Sequence, residues 1–242
     1  MDHSIYLKMR EVEDRHWWFV ARREIVRNVL SRLGLPDQAR ILDAGCGTGG
    51  NLAMLNGFGQ VEAMEMDDKA RQLANARQQA KVLPGRLPDD LPFPRHRFDL
   101  ITLLDVLEHI NDDQAALAAL RGLLKPAGRL LLTVPAFQML WGPHDDDHHH
   151  QRRYRATGLG NTARTAGFSV DYLSYFNFWL FPLVTLARLA QRWATSPGDD
   201  GLTIPMAPLN RMLGGLFASE RFFIPAARLP FGVSLIAVLK AR

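Results

Sequence analysis

Residues 41–51 read ILDAGCGTGGN, an apolar run that breaks into glycines. The stretch ARILDAG (39–45) is short and almost wholly apolar, as a strand buried on both faces should be, and it ends where glycine lets the chain turn sharply. Downstream, residues 50–58 read as a helix, QVEAMEM (60–66) as a strand and KARQLANARQQA (69–80) as a helix of strong helix formers. FDLITLLD (98–105) reads as a further strand. It is followed by a helix over DDQAALAALRGLLK (112–125), stopped by Pro126 and Gly128, and by a strand over RLLLTVPA (129–136). A helix ending near Ala166–Gly167, a strand around Ser169–Tyr175 and a final strand in FGVSLIAVLKA (231–241) complete the pattern. Such alternation predicts an α/β fold: a doubly wound, mostly parallel sheet with helices on both faces and ligands at the carboxyl ends of the strands.

The glycine stretch spells two patterns at once. Gly45, Gly47 and Gly50 give G-x-G-x-x-G, the dinucleotide pattern, whereas Gly45, Gly47 and Gly49 give G-x-G-x-G. Either way the glycines allow a tight turn and a close approach of ligand to backbone. Twenty residues after Gly45 stands Glu65, where a carboxylate at a strand end can accept hydrogen bonds from both hydroxyls of a ribose. Asp43 separates the candidate ligands. Near the turn it would repel a dinucleotide's pyrophosphate and attract a cationic head, which favours S-adenosylmethionine, a sulfonium without phosphate, over NAD.

On these residues the sequence resembles the class I S-adenosylmethionine-dependent methyltransferases. VEAMEMDDKARQLANAR resembles the family's second strand and following helix, FDLITLLDVLEHI its fourth-strand segment and LLKPAGRLLLTVPA its fifth-strand entry. The resemblance implies a Rossmann-like sheet of seven strands with the last antiparallel. It implies a cofactor site made of Asp43, Gly45, Gly47, Gly49, Glu65 with Met66 beside it, and Asp105. One segment departs from the pattern. GRLPDDLPF (85–93) has Arg86 and Leu87 where the family often has the acid that holds the adenine, so the backbone at Leu87, or Asp89 or Asp90, is left to serve. The chain is read as one domain: an N-terminal helical cap (1–38), a core (39–177), an apolar helical insertion or lid (178–230) and the last strand (231–242).

HDDDHHHQRRY (144–154) follows the fifth strand within ten residues and is well placed to wall the substrate opening. It also admits readings as a solvated loop or a metal site. Consecutive side chains such as His148, His149 and His150 point in different directions and cannot easily share one ion, so no metal is expected. A narrower resemblance favours the wall. One bacterial subgroup of these methyltransferases carries a segment like VPAFQMLWGPHD…H.RRY, with an EDRHWWF.ARR-like helix before it and a SYFNF-like strand after it; Glu13 to Arg23 and residues 174–178 match. The matching positions make His144, Asp145, His150 and Tyr154 the substrate-side candidates, with His144 or His150 as base and Asp145 holding an imidazole in one tautomer. Arg152 and Arg153 could instead bind an anion. His109 reads as a helix residue near the cofactor.

The substrate itself is constrained more loosely. Net charge is −3 over residues 1–150 and +7 over 151–242, so the C-terminal third could meet a membrane surface, nucleic acid or an acidic substrate. FWLFPLVTLARLAQRW (178–193) is apolar and then basic, too short to span a bilayer yet suited to its interface or to a buried lid. Trp17, Trp18 and Phe19 beside Arg22 and Arg23 are read as packing or as a cover over the opening. Nucleic acid is disfavoured, because the [DN]-P-P-[YF] element of base-methylating enzymes is replaced by LLDVLEH. The expected acceptor is a small or amphiphilic molecule. A nicotinamide-dependent oxidoreductase and a non-catalytic, membrane-associated SAM-binding protein are the rivals. A start with acids and no apolar core (no secretory signal), together with a single cysteine, predicts a cytoplasmic location, with peripheral membrane contact an open alternative.

Overall fold

The computed structural model describes residues 3–191 and 202–242. Residues 192–193 of the apolar-then-basic stretch lie outside the described residues. Two helices, α1 (His3–Val12) and α2 (Trp17–Ser31), precede the first strand. The sheet is built from β1 (Ala39–Ala44), β2 (Gly59–Glu65), β3 (Lys81–Pro84), β4 (Phe98–Leu104), β5 (Leu124–Pro135), β6 (Phe168–Phe176) and β7 (Ser234–Ala241). Its seven strands lie in the order β3-β2-β1-β4-β5-β7-β6. β7 pairs antiparallel with both β5 and β6, and the other pairings are parallel. This is the doubly wound, Rossmann-like α/β architecture the sequence implied.

Side chains alternate across the strands with period two and feed two cores. Ile41, Leu100, Leu131, Ile236 and Val238 face one side, where Ile25, Val26, Val29 and Leu30 of α2 and Phe217 of α9 (Ala207–Ala218) cover them. Leu42, Ile101, Leu130, Leu132, Ala237 and Leu239 face the other, beneath α5 (Asp113–Leu123) and α7 (Ala156–Thr165). The remaining helices are α3 (Leu52–Leu55), α4 (Asp68–Ala76), α6 (Pro143–Asp147) and α8 (Phe181–Gln191). No helix among the described residues is long and apolar enough to cross a membrane.

Several local expectations are corrected. The helix expected over 50–58 shrinks to Leu52–Leu55, because the chain must turn at Gly57 and enter β2 at Gly59. The helix expected over 69–80 ends at Ala76, since Gln78 takes a left-handed conformation (φ 55°) and Lys81 already pairs with Glu62 in β3. That four-residue edge strand carried no periodic signal of its own. α5 gives way at Leu124, not at Pro126, because Leu124 pairs with Phe98 before a register shift in β4.

Candidate functional site

A cavity of about 1150 Å³ opens at the carboxyl ends of β1, β2 and β4 and extends to the loop after β5. It exceeds the 300–1,000 Å³ usual for one small ligand, so it can take a cofactor and an acceptor together. Gly45, Gly47, Glu65, Met66, Leu87, Asp105, His144 and His150 all line it. Asp43, Gly49, Asp145 and Tyr154 stand behind that lining.

The glycine turn is fixed by backbone. Gly45 has φ 73°, and a β-carbon there would come within 2.8 Å of Val106. The amides of Gly45 and Cys46 both donate to the Met64 carbonyl, at 2.9 and 3.1 Å. Glu65, nearly buried, accepts from the Gly47 amide (2.9 Å) through one carboxylate oxygen and from the Asp67 amide (2.9 Å) through the other. Asp43 is buried below the turn. Its Oδ1 accepts from the Thr102 hydroxyl at 2.7 Å, while Oδ2 has no hydrogen-bond partner. Burial pushes its carboxyl up to about 6, against the hydrogen bond from Thr102 and the charge of Arg22, which pull it down. An orphaned buried carboxylate oxygen beside the glycine loop fits a ligand with a cationic head.

The segment before β1 sends two charges into this seat, Arg22 from α2 and Glu13 from the turn between α1 and α2. Arg22 pairs with Asp105 and lies 4.8 Å from the centroid of the Trp18 ring. Asp105 itself has φ 57°, held by its amide donating to the Thr133 carbonyl at 3.0 Å. Glu13 accepts from the Thr48 hydroxyl at 2.6 Å and pairs with Arg77. A β-carbon on Gly50 would run into the Glu13 carboxylate. The third glycine of the dinucleotide pattern is therefore vacant for an acid from this chain. The Glu13 carboxylate, paired with Arg77, fills the space over Gly50 that a phosphate would need.

At the other end of the cavity lies the histidine loop. Asp145 is fully buried in α6 and accepts from Arg153 through both oxygens (2.8 and 2.9 Å), from the Gly142 amide (2.8 Å) and from His150 Nδ1 (2.8 Å). Burial works to raise its carboxyl, but the bonds from His150 and Arg153 outweigh burial and hold it well below the ordinary range. Four imidazoles gather here: His144 and His148 have ring centroids 4.1 Å apart, and His109 and His150 4.7 Å apart. Burial, with the neighbouring imidazoles, pushes His109 down to about 4 and His148 down to about 3, so both are neutral at pH 7. Glu108 is buried among them with Oε2 unpartnered, and burial and the nearby Asp105 push its carboxyl well up. Arg188 of α8 reaches toward Gly142 and closes this end.

Two expectations for this loop are redrawn. Tyr154 does not reach the cavity; its hydroxyl donates to Asp113 on α5 at 2.9 Å. Arg152 and Arg153 are committed to Asp113 and Asp145, which leaves little for an external anion. Sequence reading missed Glu108, a polar side chain in a short turn that resembled its helical surroundings. Arg22 and Glu13 were quoted as part of a motif without a role, since their partners lie 83 and 35 residues away.

The chain is similar to known methyltransferases. The sequence model of the family described as "Methyltransferase domain" matches residues 17–173. A ubiquinone/menaquinone biosynthesis C-methyltransferase of Psychromonas ingrahamii is 30% identical over 120 residues, which are 44% of this chain and 48% of that protein. The chain thus spans about half the length of that relative. A trans-aconitate 2-methyltransferase of Azoarcus sp. is 29% identical over 178 residues, covering 72% of this chain and 67% of that protein. In fold the chain is similar to the geranyl diphosphate C-methyltransferase of Streptomyces coelicolor, solved with Mg2+, geranyl diphosphate and S-adenosyl-L-homocysteine. There the TM-score is 0.60 at 13% identity, over 88% of this chain and 77% of that one. The chain belongs to the methyltransferase-domain family.

Proposed function

We propose that the protein transfers a methyl group to a small or amphiphilic molecule. The observation that carries this reading is the pattern of charge around the glycine turn: Asp43 beneath it, Glu13 over Gly50 and Glu65 at the end of β2. Such a seat repels pyrophosphate and attracts a cation. S-adenosylmethionine supplies a methyl group already activated on a sulfonium. Glu65 would hold the ribose, the backbone at Leu87 the adenine edge, and Arg22, beside Asp105, the methionine carboxylate. The remaining work of the protein is alignment and exclusion of water. Trp17, Trp18 and Phe19 line the cavity and serve the second purpose.

On the acceptor side, His150 is the residue we assign to direct contact. Asp145 takes up Nδ1, which leaves Nε2 as the ring nitrogen available to the acceptor. Asp145 and Arg153 are positioning residues, and Tyr154 braces the loop against α5. An amphiphilic acceptor is supported by the apolar faces that α8 and α9 leave open: Leu183 is 59% exposed, Leu186 66% and Met212 61%, with Arg188 and Arg211 on the same helices. Such a surface suits a cytoplasmic protein that touches a membrane peripherally. The residues matching the HWWF and HD…H.RRY segments bear on the donor seat and the histidine loop, which supports the bacterial subgroup. Titration calorimetry with S-adenosylhomocysteine and with NAD tests the donor: binding of the first and not the second is expected, and the reverse ends this reading. Transfer of labelled methyl into small-molecule and lipid extracts tests catalysis; persistent silence would favour a non-catalytic binder.

A further inference from the structure

We propose that the acceptor end of the cavity is a divalent transition-metal site formed by Glu108, His109 and His150. One donor atom from each lies within 4.8 Å of the other two. A tetrahedral ion bound at about 2.1 Å needs its ligand atoms about 3.4 Å apart, so small side-chain rotations close the site.

An independent observation points to the same place. Glu108 is 1% exposed, it lines the cavity, and its Oε2 has no hydrogen-bond partner. Buried polar atoms are almost always satisfied, and the orphaned Glu108 oxygen beside the His109 and His150 imidazoles is what an ion would account for. The surroundings also have the form of a supported ligand shell. His150 is oriented by Asp145 through Nδ1, and Asp145 is in turn locked by Arg153. A carboxylate behind a histidine fixes its tautomer and aims the other nitrogen at a metal.

The donor set selects the ion. Two imidazoles and one carboxylate suit Zn2+ and its transition-metal neighbours, and they do not suit Mg2+ or Ca2+, which prefer all-oxygen sites. Three protein ligands leave a position open for a substrate oxygen. The inference thus deepens the proposed methyl transfer and rests on it for its chemistry: the acceptor would be a hydroxyl or enol that coordinates through oxygen. Coordination releases its proton to solvent. The oxygen then forms the bond to the methyl carbon as the bond from that carbon to sulfur breaks, and the sulfonium leaves as a neutral thioether.

Metal-stripped protein titrated with Co2+ and read by visible absorption, and with Zn2+ by calorimetry, tests the site. One ion per chain is expected. Glu108→Gln, His109→Ala and His150→Ala should each weaken binding at least tenfold, and Asp145→Asn about 10–100-fold through the supporting shell. His149→Ala, at an exposed neighbour, should bind as the unaltered protein does. Circular dichroism of each variant checks folding. No stoichiometric binding, or an equal loss in His149→Ala, overturns the site as mere chelation by a histidine-rich loop. S-adenosylhomocysteine titrated into the same metal-free samples keeps the two readings apart: if it binds and Zn2+ does not, the metal site alone falls.

Discussion

At the donor end of the cavity the polar groups are set by backbone. Glycine turns, strand ends and amides hold Glu65 and shape the seat within some twenty residues of chain. At the acceptor end they are set by side chains from two separate segments, the Glu108–His109 turn and the 144–153 loop, and one buried carboxylate orders them. The donor end therefore tolerates change except where a β-carbon is added or a charge is added or removed. The acceptor end depends on a single network, in which removing one member strands the rest.

Substitution should expose that difference. The largest effect is expected from Asp145→Asn. It leaves the Arg153 charge buried without its partner, at a cost of about 3–5 kcal/mol in denaturant unfolding; a loss under 1 kcal/mol would mean the network is not what orders the loop. Next comes Arg22→Met. Calorimetry should show S-adenosylhomocysteine binding about a hundredfold weaker, with methylthioadenosine, which lacks the amino-acid carboxylate, hardly affected. An equal loss for both ligands would remove Arg22 from the carboxylate. Gly50→Ala should cost about 2 kcal/mol of stability by displacing Glu13, and the same substitution should add little further cost in a Glu13→Ala background.

The smallest effect is a pH dependence. Asp43 has its carboxyl raised from 3.8 to about 6 in the folded protein, so its ionisation costs stability as pH rises through that window. A cationic donor binds the ionised form. Its affinity should therefore climb about tenfold between pH 5 and 7 and level off above, and Asp43→Asn should flatten the profile. A profile unchanged by that substitution would assign the titration elsewhere.

The sheet was legible wherever strands are buried on both faces, because β1, β4, β5 and β7 read as apolar runs ended by turn residues. β3 was not, being a four-residue edge strand defined by its partner and not by its own pattern. The donor seat was legible for a similar reason, since glycines and strand-end acids carry their meaning within a short window. Arg22 and Glu13 meet their partners only through the fold. So does Glu108, whose significance comes from His150 arriving beside it after a forty-residue excursion. The G-x-G-x-x-G spelling stayed ambiguous until Gly50 was seen to make room for Glu13.

That last contact bears on where the domain can be cut. A fragment beginning at Ala39 would retain every strand of the sheet, yet Arg77 would lose Glu13, Asp105 would lose Arg22, and the Ile41–Leu100–Leu131 face would lose the cover of α2. The minimal autonomous unit is therefore larger than its sheet, and excising the first two helices should yield an insoluble remnant, not a leaner enzyme.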